Sequence, residues 1–115
     1  MTLEERKALD AYVAAVRAHF GPRLHDILVF GSRARGDNRA DSDVDLAIIF
    51  QDADWDYWIR KFELLDLSWE AFCEANLDIE PWPIAKEVWD QPDSHRNPRF
   101  IRTVQKDALS VAEAA

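Results

Sequence analysis

A polar segment between two apolar runs carries the residue types best suited to chemistry. Gly31 and Ser32 directly follow an apolar, partly β-branched run that ends at Phe30. A glycine at such a position allows a sharp turn and lets a ligand approach the main chain closely. A hydroxyl and a backbone N–H at the start of a turn receive phosphate oxygens well. The sequence therefore predicts a phosphate site at Gly31 and Ser32.

Two carboxylates follow this turn at the start of the next apolar run. Asp43 and Asp45 are separated only by Val44, and residues i and i+2 of a strand lie on the same face. Two carboxylates at such a short distance repel one another unless a cation lies between them. Mg²⁺ prefers oxygen ligands and leaves positions open for substrate phosphates, so the pair predicts a Mg²⁺ site facing the phosphate turn. A two-metal mechanism needs a further carboxylate, for which Asp78 and Glu80 are both candidates.

Three arginines fall within seven residues of the same segment, at positions 33, 35 and 39. The rest of the chain is acidic, since 14 Lys and Arg stand against 22 Asp and Glu overall. Guanidinium groups bind phosphates through charge-assisted hydrogen bonds, so Arg33 and Arg35 are predicted to bind phosphate groups. Each feature by itself is common in inert surface loops. Their combination, in this order and at this spacing, favours a phosphate-handling site.

Hydrophobic spacing and turn signals predict the elements that position these residues. In chain order they are a helix over 3–20, strands over 24–30 and 44–50, a helix over about 55–72, a third strand over 77–80, a short helix near 85–90 and a last helix from 97 to about 108. The third strand is expected to end at Pro81 and Pro83. The tail after Leu109 is expected to fray or to dock on another chain. Mixed strands and helices imply an α/β (α+β) fold with a small mixed sheet covered by helices, in the order α-β-turn-β-α-β.

A stripe of large apolar side chains runs along the predicted helix over 55–72. Its members are spaced by three or four residues and are Trp55, Trp58, Phe62, Leu65, Trp69 and Phe72. Such spacing is typical of one helix face. We expect this face to pack on the sheet; the alternative is a surface left open for a partner.

Length and composition exclude several classes of protein. The chain has 115 residues, 48% of them hydrophobic and 31% charged, which predicts one globular domain over residues 1–115. Cys73 is the only cysteine, so we expect no intramolecular disulfide and a reducing, cytoplasmic location. No apolar run approaches the roughly 20 residues of a membrane span. The net charge of −8 argues against direct nucleic-acid binding and favours a small anionic ligand or a basic protein partner.

The string GSRARGDNRADSDVDL, residues 31–46, resembles the signature of the DNA polymerase beta-like nucleotidyltransferase superfamily. It is most similar to the minimal nucleotidyltransferase (MNT) branch, small proteins that are paired with HEPN-domain partners in prokaryotic toxin–antitoxin modules. The resemblance implies a compact α/β core that binds ATP and Mg²⁺, with two ions expected, and that transfers a nucleotidyl group. Carried over by position, Gly31 and Ser32 would hold the triphosphate, and Asp43 and Asp45 would bind metal.

The same resemblance distinguishes between the two candidates for the third carboxylate. In the family this residue tends to lie between apolar residues, three positions before a proline. Asp78, before Pro81, matches that pattern and Glu80 does not. The implied activity is transfer of AMP from ATP to a hydroxyl of a HEPN toxin, with the protein acting as antitoxin. Two alternatives stay open: a non-catalytic antitoxin that neutralises its partner sterically, and a nucleotidyltransferase that modifies a small molecule such as an antibiotic.

Overall fold

A computed structural model describes residues 1–114 of the chain. Its helices and strands, in chain order, are α1 (Leu3–Phe20), β1 (Leu24–Phe30), α2 (Ser32–Arg35), β2 (Val44–Phe50), α3 (Tyr57–Leu67), α4 (Trp69–Ala75), β3 (Ile79–Ala85), α5 (Lys86–Asp90), α6 (Pro98–Asp107) and β4 (Leu109–Ser110). The predicted α/β class and the predicted element order are confirmed. The first helix and first two strands have the expected bounds, because strong local signals mark their ends; Thr2 and Glu5 form the expected capping box.

The four strands form one mixed sheet in the order β3-β2-β1-β4. β1 runs antiparallel to β2 and β4, whereas β3 runs parallel to β2. Phe30 pairs with Asp45, and Asp45 pairs with Glu80. The end of β1 and the starts of β2 and β3 therefore meet at one end of the sheet, which brings the polar segment after β1 beside the two aspartates.

Each face of the sheet is covered by its own hydrophobic cluster. Alternate β2 residues, including Leu46 and Phe50, pack with α1, α3 and α4 on one face. Ala47 packs with Ile101 and Val104 of α6 on the other. Because side chains alternate along a strand, Asp45 lies on the same face as Ala47, the face that α6 covers.

The third strand does not end at the prolines, and this part of the sequence prediction is wrong. β3 continues through Pro81 and Pro83 to Ala85, paired with β2 along its whole length. β3 is an edge strand, and in an edge strand the backbone N–H and C=O groups of every second residue point away from the sheet. Prolines two residues apart can occupy those positions without removing a ladder hydrogen bond.

The aromatic stripe does not pack on the sheet, so the expected arrangement is wrong there too. The segment forms two helices that meet at Ser68. Trp55 does pack in the core, but the buried side chains of α3 are Arg60, Lys61 and Leu64. The Arg60 guanidinium lies 4.3 Å from the centre of the Phe50 ring and 4.8 Å from that of Trp55, and it pairs with Asp52 at 3.3 Å. These partners make burial of a cation favourable.

The tail docks on its own chain instead of fraying. Leu109 and Ser110 pair with β1 as the fourth strand. The Arg6 guanidinium donates to the backbone oxygens of Val111, at 2.8 Å, and of Ala114. Ala115 lies outside the described residues. Within residues 1–114, no helix has both the length and the apolarity needed to cross a membrane.

Candidate active site

The turn after β1 is shaped by the close approach of Gly31 to Asp45. Gly31 has a φ of +73°, and a Cβ added to it would lie 2.6 Å from Oδ2 of Asp45. Only glycine combines that backbone conformation with that space. Its carbonyl accepts hydrogen bonds from the N–H groups of Ala34, at 3.1 Å, and Arg35, at 3.0 Å. The single-turn α2 therefore starts at Ser32, directly beside the Asp45 carboxylate.

The predicted carboxylates lie together at the same end of the sheet. Asp43 comes directly before β2, and Asp78 comes directly before β3. The two side chains interact. The two main chains are also joined there, by a hydrogen bond of 2.9 Å from Val44 N to Asp78 O. Partial burial, the negative charges of Asp78 and Glu80, and a hydrogen bond with Asp78 raise the pKa of Asp43. The prediction that these acids would lie near one another thus agrees with the geometry.

Asp45 lies deeper than Asp43 and is surrounded by both charges and an aromatic donor. Burial raises the pKa of Asp45, and so do the charges of Asp43 and Glu80; a hydrogen bond from Trp82 and the charge of Lys61 oppose the rise. The Trp82 indole Nε1 donates to Asp45 Oδ1 at 3.4 Å. The cluster therefore holds more negative charge than its own surroundings neutralise.

The donor chemistry of this cluster fits a divalent ion that arrives with a nucleotide. Mg²⁺ in such sites is commonly held by one or two carboxylates together with substrate phosphates. Across residues 1–114, no three His, Cys, Asp or Glu side chains are placed so as to hold a metal ion on their own. Asp43 and Asp45, beside the Gly31 turn, fit a site in which carboxylates and phosphate oxygens together would bind the ion.

Glu80, the other candidate for the third carboxylate, is engaged by a buried lysine. Lys61 Nζ lies 2.6 Å from Glu80 Oε1, donates also to Pro81 O, and lies 4.4 Å from the centre of the Trp82 ring. Sequence reasoning misses Lys61 because its partner, Glu80, lies on a different element and the helix's own sequence gives no sign of it. Its charge holds Glu80, which leaves Asp78 as the carboxylate that faces Asp43.

The two arginines predicted to bind phosphates lie in different environments. Arg33 is buried, and its guanidinium donates to Ser42 O at 2.7 Å and Ala40 O at 3.3 Å and pairs with Glu5 at 3.4 Å. It thereby holds the loop that carries Asp43. Arg35 is about half exposed, and it pairs with Asp37 at 3.1 Å and with Asp107 at 2.8 Å.

A cleft lies beside the carboxylates, on the side of β3. Its volume is about 690 Å³, and its lining includes Tyr57, Trp58, Trp82, Arg96 and Phe100. This volume is within the range of small-ligand sites. Trp82 forms the wall between the cleft and Asp45. Sequence reasoning missed Trp82 as a site residue because it placed the residue outside the third strand.

Comparison with known proteins agrees with this geometry. The family model described as polymerase beta, nucleotidyltransferase, matches residues 19–88, more than half of the chain. A Methanocaldococcus jannaschii protein, provisionally named a protein adenylyltransferase, is 34% identical over 95 residues, which are 83% of this chain and 91% of that protein.

Three solved structures are similar in fold. A provisionally assigned nucleotidyltransferase from Sulfolobus solfataricus has a TM-score of 0.64 and 22% identity, over 90% of this chain and 76% of that one. A toxin–antitoxin complex with AMP-PNP has a TM-score of 0.58 and 19% identity, over 87% and 69%. A provisionally assigned minimal nucleotidyltransferase has a TM-score of 0.53 and 26% identity, over 95% of both chains. Its sequence and its fold together place this chain in the polymerase beta nucleotidyltransferase family.

Proposed function

We propose that this protein transfers AMP from ATP to a hydroxyl group of a partner protein, in a Mg²⁺-dependent reaction. The observation that carries the proposal is the contact between Gly31 and Asp45, where the added Cβ would be 2.6 Å from the carboxylate. This contact puts a turn suited to phosphates directly beside carboxylates suited to Mg²⁺.

The residues divide into two groups. Asp43 and Asp45, with Asp78 as the third carboxylate, would hold Mg²⁺ together with phosphate oxygens, and we propose two ions; the metal would supply charge neutralisation at the phosphates. The backbone at Gly31 and the N–H and hydroxyl of Ser32 receive the triphosphate.

The arginines have separate roles in the proposal. Arg35, on the exposed side of α2, is near enough to the phosphate turn to exchange an aspartate partner for a phosphate. Arg33 acts as a positioning residue, since its guanidinium holds the loop before Asp43 from inside.

The reaction is an in-line displacement at the α-phosphorus. The acceptor hydroxyl oxygen forms a bond to that phosphorus, and the bond from the phosphorus to the bridging oxygen of the β-phosphate breaks. Pyrophosphate leaves with the electron pair, and the hydroxyl proton passes to a carboxylate of the cluster. Catalysis of this kind depends mainly on positioning and charge stabilisation, which a single small domain can provide.

The proposed acceptor is a HEPN-domain toxin, so the protein would act as the antitoxin of a toxin–antitoxin module. Two comparisons support this: the name of the archaeal relative, a protein adenylyltransferase, and the fold similarity to a toxin–antitoxin complex with AMP-PNP. The net charge of −8 suits a basic ribonuclease partner and disfavours direct nucleic-acid binding.

The test is incubation of the purified protein with ATP labelled at the α-phosphate, Mg²⁺ and the product of the neighbouring gene. We expect label on the partner protein, and no label when Asp43→Asn/Asp45→Asn replaces the wild type. No transfer by the wild type, or equal transfer by the double variant, refutes the proposal.

One observation favours a second candidate function. Large apolar side chains on α3 and α4 are exposed, as is typical of a surface that binds another protein. Binding alone could then neutralise a toxin. In a toxicity assay, protection by the Asp43→Asn/Asp45→Asn variant would favour this steric function over catalysis.

A further inference from the structure

Four large aromatic side chains and one isoleucine form an exposed face on α3 and α4. We call this the aromatic face; its members, Trp58, Ile59, Phe62, Trp69 and Phe72, are 44% to 65% exposed. The Trp69 and Phe72 rings stack at 5.7 Å, and the centres of Trp58 and Phe62 are 6.3 Å apart. Single exposed apolar residues are ordinary, but exposed clusters on two successive helices mark an interaction surface.

The charge around the aromatic face is negative. Residues 52–80 contain nine acidic side chains and two basic ones. Both basic side chains are buried and paired, Arg60 with Asp52 and Lys61 with Glu80. The exposed charges that residues 52–80 contribute are therefore acidic, and Arg96 is a basic side chain that lies beside them in the cleft. A second copy of the chain would bring like charges together, which is unfavourable, whereas a basic partner would be attracted.

The aromatic face continues into the cleft beside the carboxylates. Trp58 belongs to the aromatic face and also lines the cleft, whose inner wall is Trp82. Trp82 in turn contacts Asp45 through its indole N–H. A protein lying on the aromatic face could thus reach the carboxylates without leaving the surface.

The chemistry of the transfer specifies the side from which an acceptor must come. In an in-line displacement the attacking oxygen enters opposite to the leaving group. The leaving pyrophosphate would be bound at Gly31 and Ser32, beside β1. The opposite side of the carboxylates is that of β3, where Trp82 and the cleft lie.

We infer that the acceptor is a basic protein that docks on the aromatic face and presents its hydroxyl to the carboxylates through the cleft at Trp82. This inference rests on the proposed transfer activity, and it adds the surface, the charge of the partner and the direction of approach. The apolar contacts supply affinity, and the surrounding acids select a cationic partner.

The test uses two synthetic peptides as probes with the full chain. One is an amphipathic leucine–lysine helix of about 18 residues, long enough to cover both α3 and α4, with Ser, Thr and Tyr on its polar side. The other has glutamate in place of each lysine. The protein variants are Phe62→Ser/Trp69→Ser, on the aromatic face, and Leu3→Ser, which removes an exposed apolar side chain on α1 instead.

Binding is measured by calorimetry, alongside binding of Mg²⁺ with AMP-PNP and sedimentation of the free protein. We expect the lysine peptide to bind the wild type and Leu3→Ser alike, and the glutamate peptide to bind at least about tenfold more weakly. The Phe62→Ser/Trp69→Ser variant should bind the lysine peptide more weakly by a similar factor, and its affinity for the nucleotide should be unchanged.

Three results would overturn the inference. They are failure of the lysine peptide to bind the wild type, equal binding of the two peptides, and unchanged peptide binding by the Phe62→Ser/Trp69→Ser variant. A wild-type dimer that this variant abolishes would show that a second copy covers the aromatic face, and would overturn it as well. Failure of the wild type to bind AMP-PNP would count against the proposed function alone, because the peptide measurements need no nucleotide.

Discussion

The carboxylate of Asp45 occupies the space that a side chain at Gly31 would need. A Cβ there would be 2.6 Å from Oδ2 of Asp45, and the residue has a φ of +73°. The turn after β1 and the carboxylate at the start of β2 are therefore fitted to each other. A change at either residue must disturb the other.

Gly31→Ala is expected to weaken nucleotide binding because the new methyl group displaces the Asp45 carboxylate. The backbone, with a φ of +73° and a ψ of −154°, lies in a region that essentially only glycine occupies, which adds strain of roughly 1–3 kcal/mol. Gly21→Ala is the matched control, since Gly21 has a φ of +54° and nothing lies within 4 Å of its added Cβ. Calorimetry with AMP-PNP and Mg²⁺ should show a loss for Gly31→Ala only. Equal nucleotide affinity of the two variants would contradict this explanation.

Asp43→Asn is expected to abolish transfer and yet to stabilise the folded chain. Burial and the neighbouring acids raise the pKa of Asp43, so the folded state binds a proton more tightly than the unfolded state does. The wild type should therefore lose stability as the pH rises from the ordinary aspartate pKa through the raised one.

The Asp43→Asn variant cannot lose stability in this way. Its advantage in melting temperature over the wild type should grow through that pH interval and then stay constant. Thermal melts without divalent ions, recorded from acidic to neutral pH, measure the difference. A melting temperature of the variant below that of the wild type at neutral pH would show that Asp43 is stabilising and that repulsion does not dominate.

Lys61→Met is expected to destabilise the fold because it leaves Glu80 without its partner beside Asp45. The Glu80 side chain is 36% exposed, so the cost should be at the lower end for such pairs, about 1–3 kcal/mol. Adding Glu80→Gln should recover part of the loss. Urea unfolding of the four proteins of this double-mutant cycle gives the coupling energy. Simple additivity would mean that the pair is not coupled.

Arg33→Met and Arg35→Ala should separate loop support from phosphate binding. Arg33 is buried and bonded to Ser42 and Ala40, so its loss should cost about 2 kcal/mol of unfolding free energy. Arg35 is about half exposed and pairs with Asp37 and Asp107, and solvent weakens ion pairs of such a side chain. Its replacement should leave the melting temperature nearly unchanged and weaken AMP-PNP binding. If instead Arg33→Met weakened AMP-PNP binding and Arg35→Ala lowered stability, the roles assigned to the two arginines would be wrong.

The first half of the fold was predictable because its signals are local. The apolar runs of β1 and β2 have clear limits, and Gly31 and Asp43 lie at those limits. The same applies to the site, since the spacing from Ser32 to Asp45 is short and the two strands are neighbours. Residues that act together through a single hairpin can be recognised without knowing the rest of the fold.

The second half was not predictable to the same degree because its partners come from distant elements. Arg60 and Lys61 can be buried because distant parts of the chain supply their partners: the Phe50 ring and Asp52 for Arg60, and Glu80 for Lys61. The hydrophobic periodicity of residues 55–72 contains no information about those partners, so it could not predict which side chains are buried. The role of Trp82 depends in the same way on β3 lying beside β2.

The prolines of β3 have a consequence for assembly. Pro81 and Pro83 lie on the outer strand, where the Lys61 ammonium also binds the Pro81 carbonyl. At those positions this border offers no amide hydrogen to an incoming strand, and the Pro81 carbonyl is already bonded. The opposite border is the two-residue β4. Copies of this protein should therefore resist polymerising by strand addition even at high concentration.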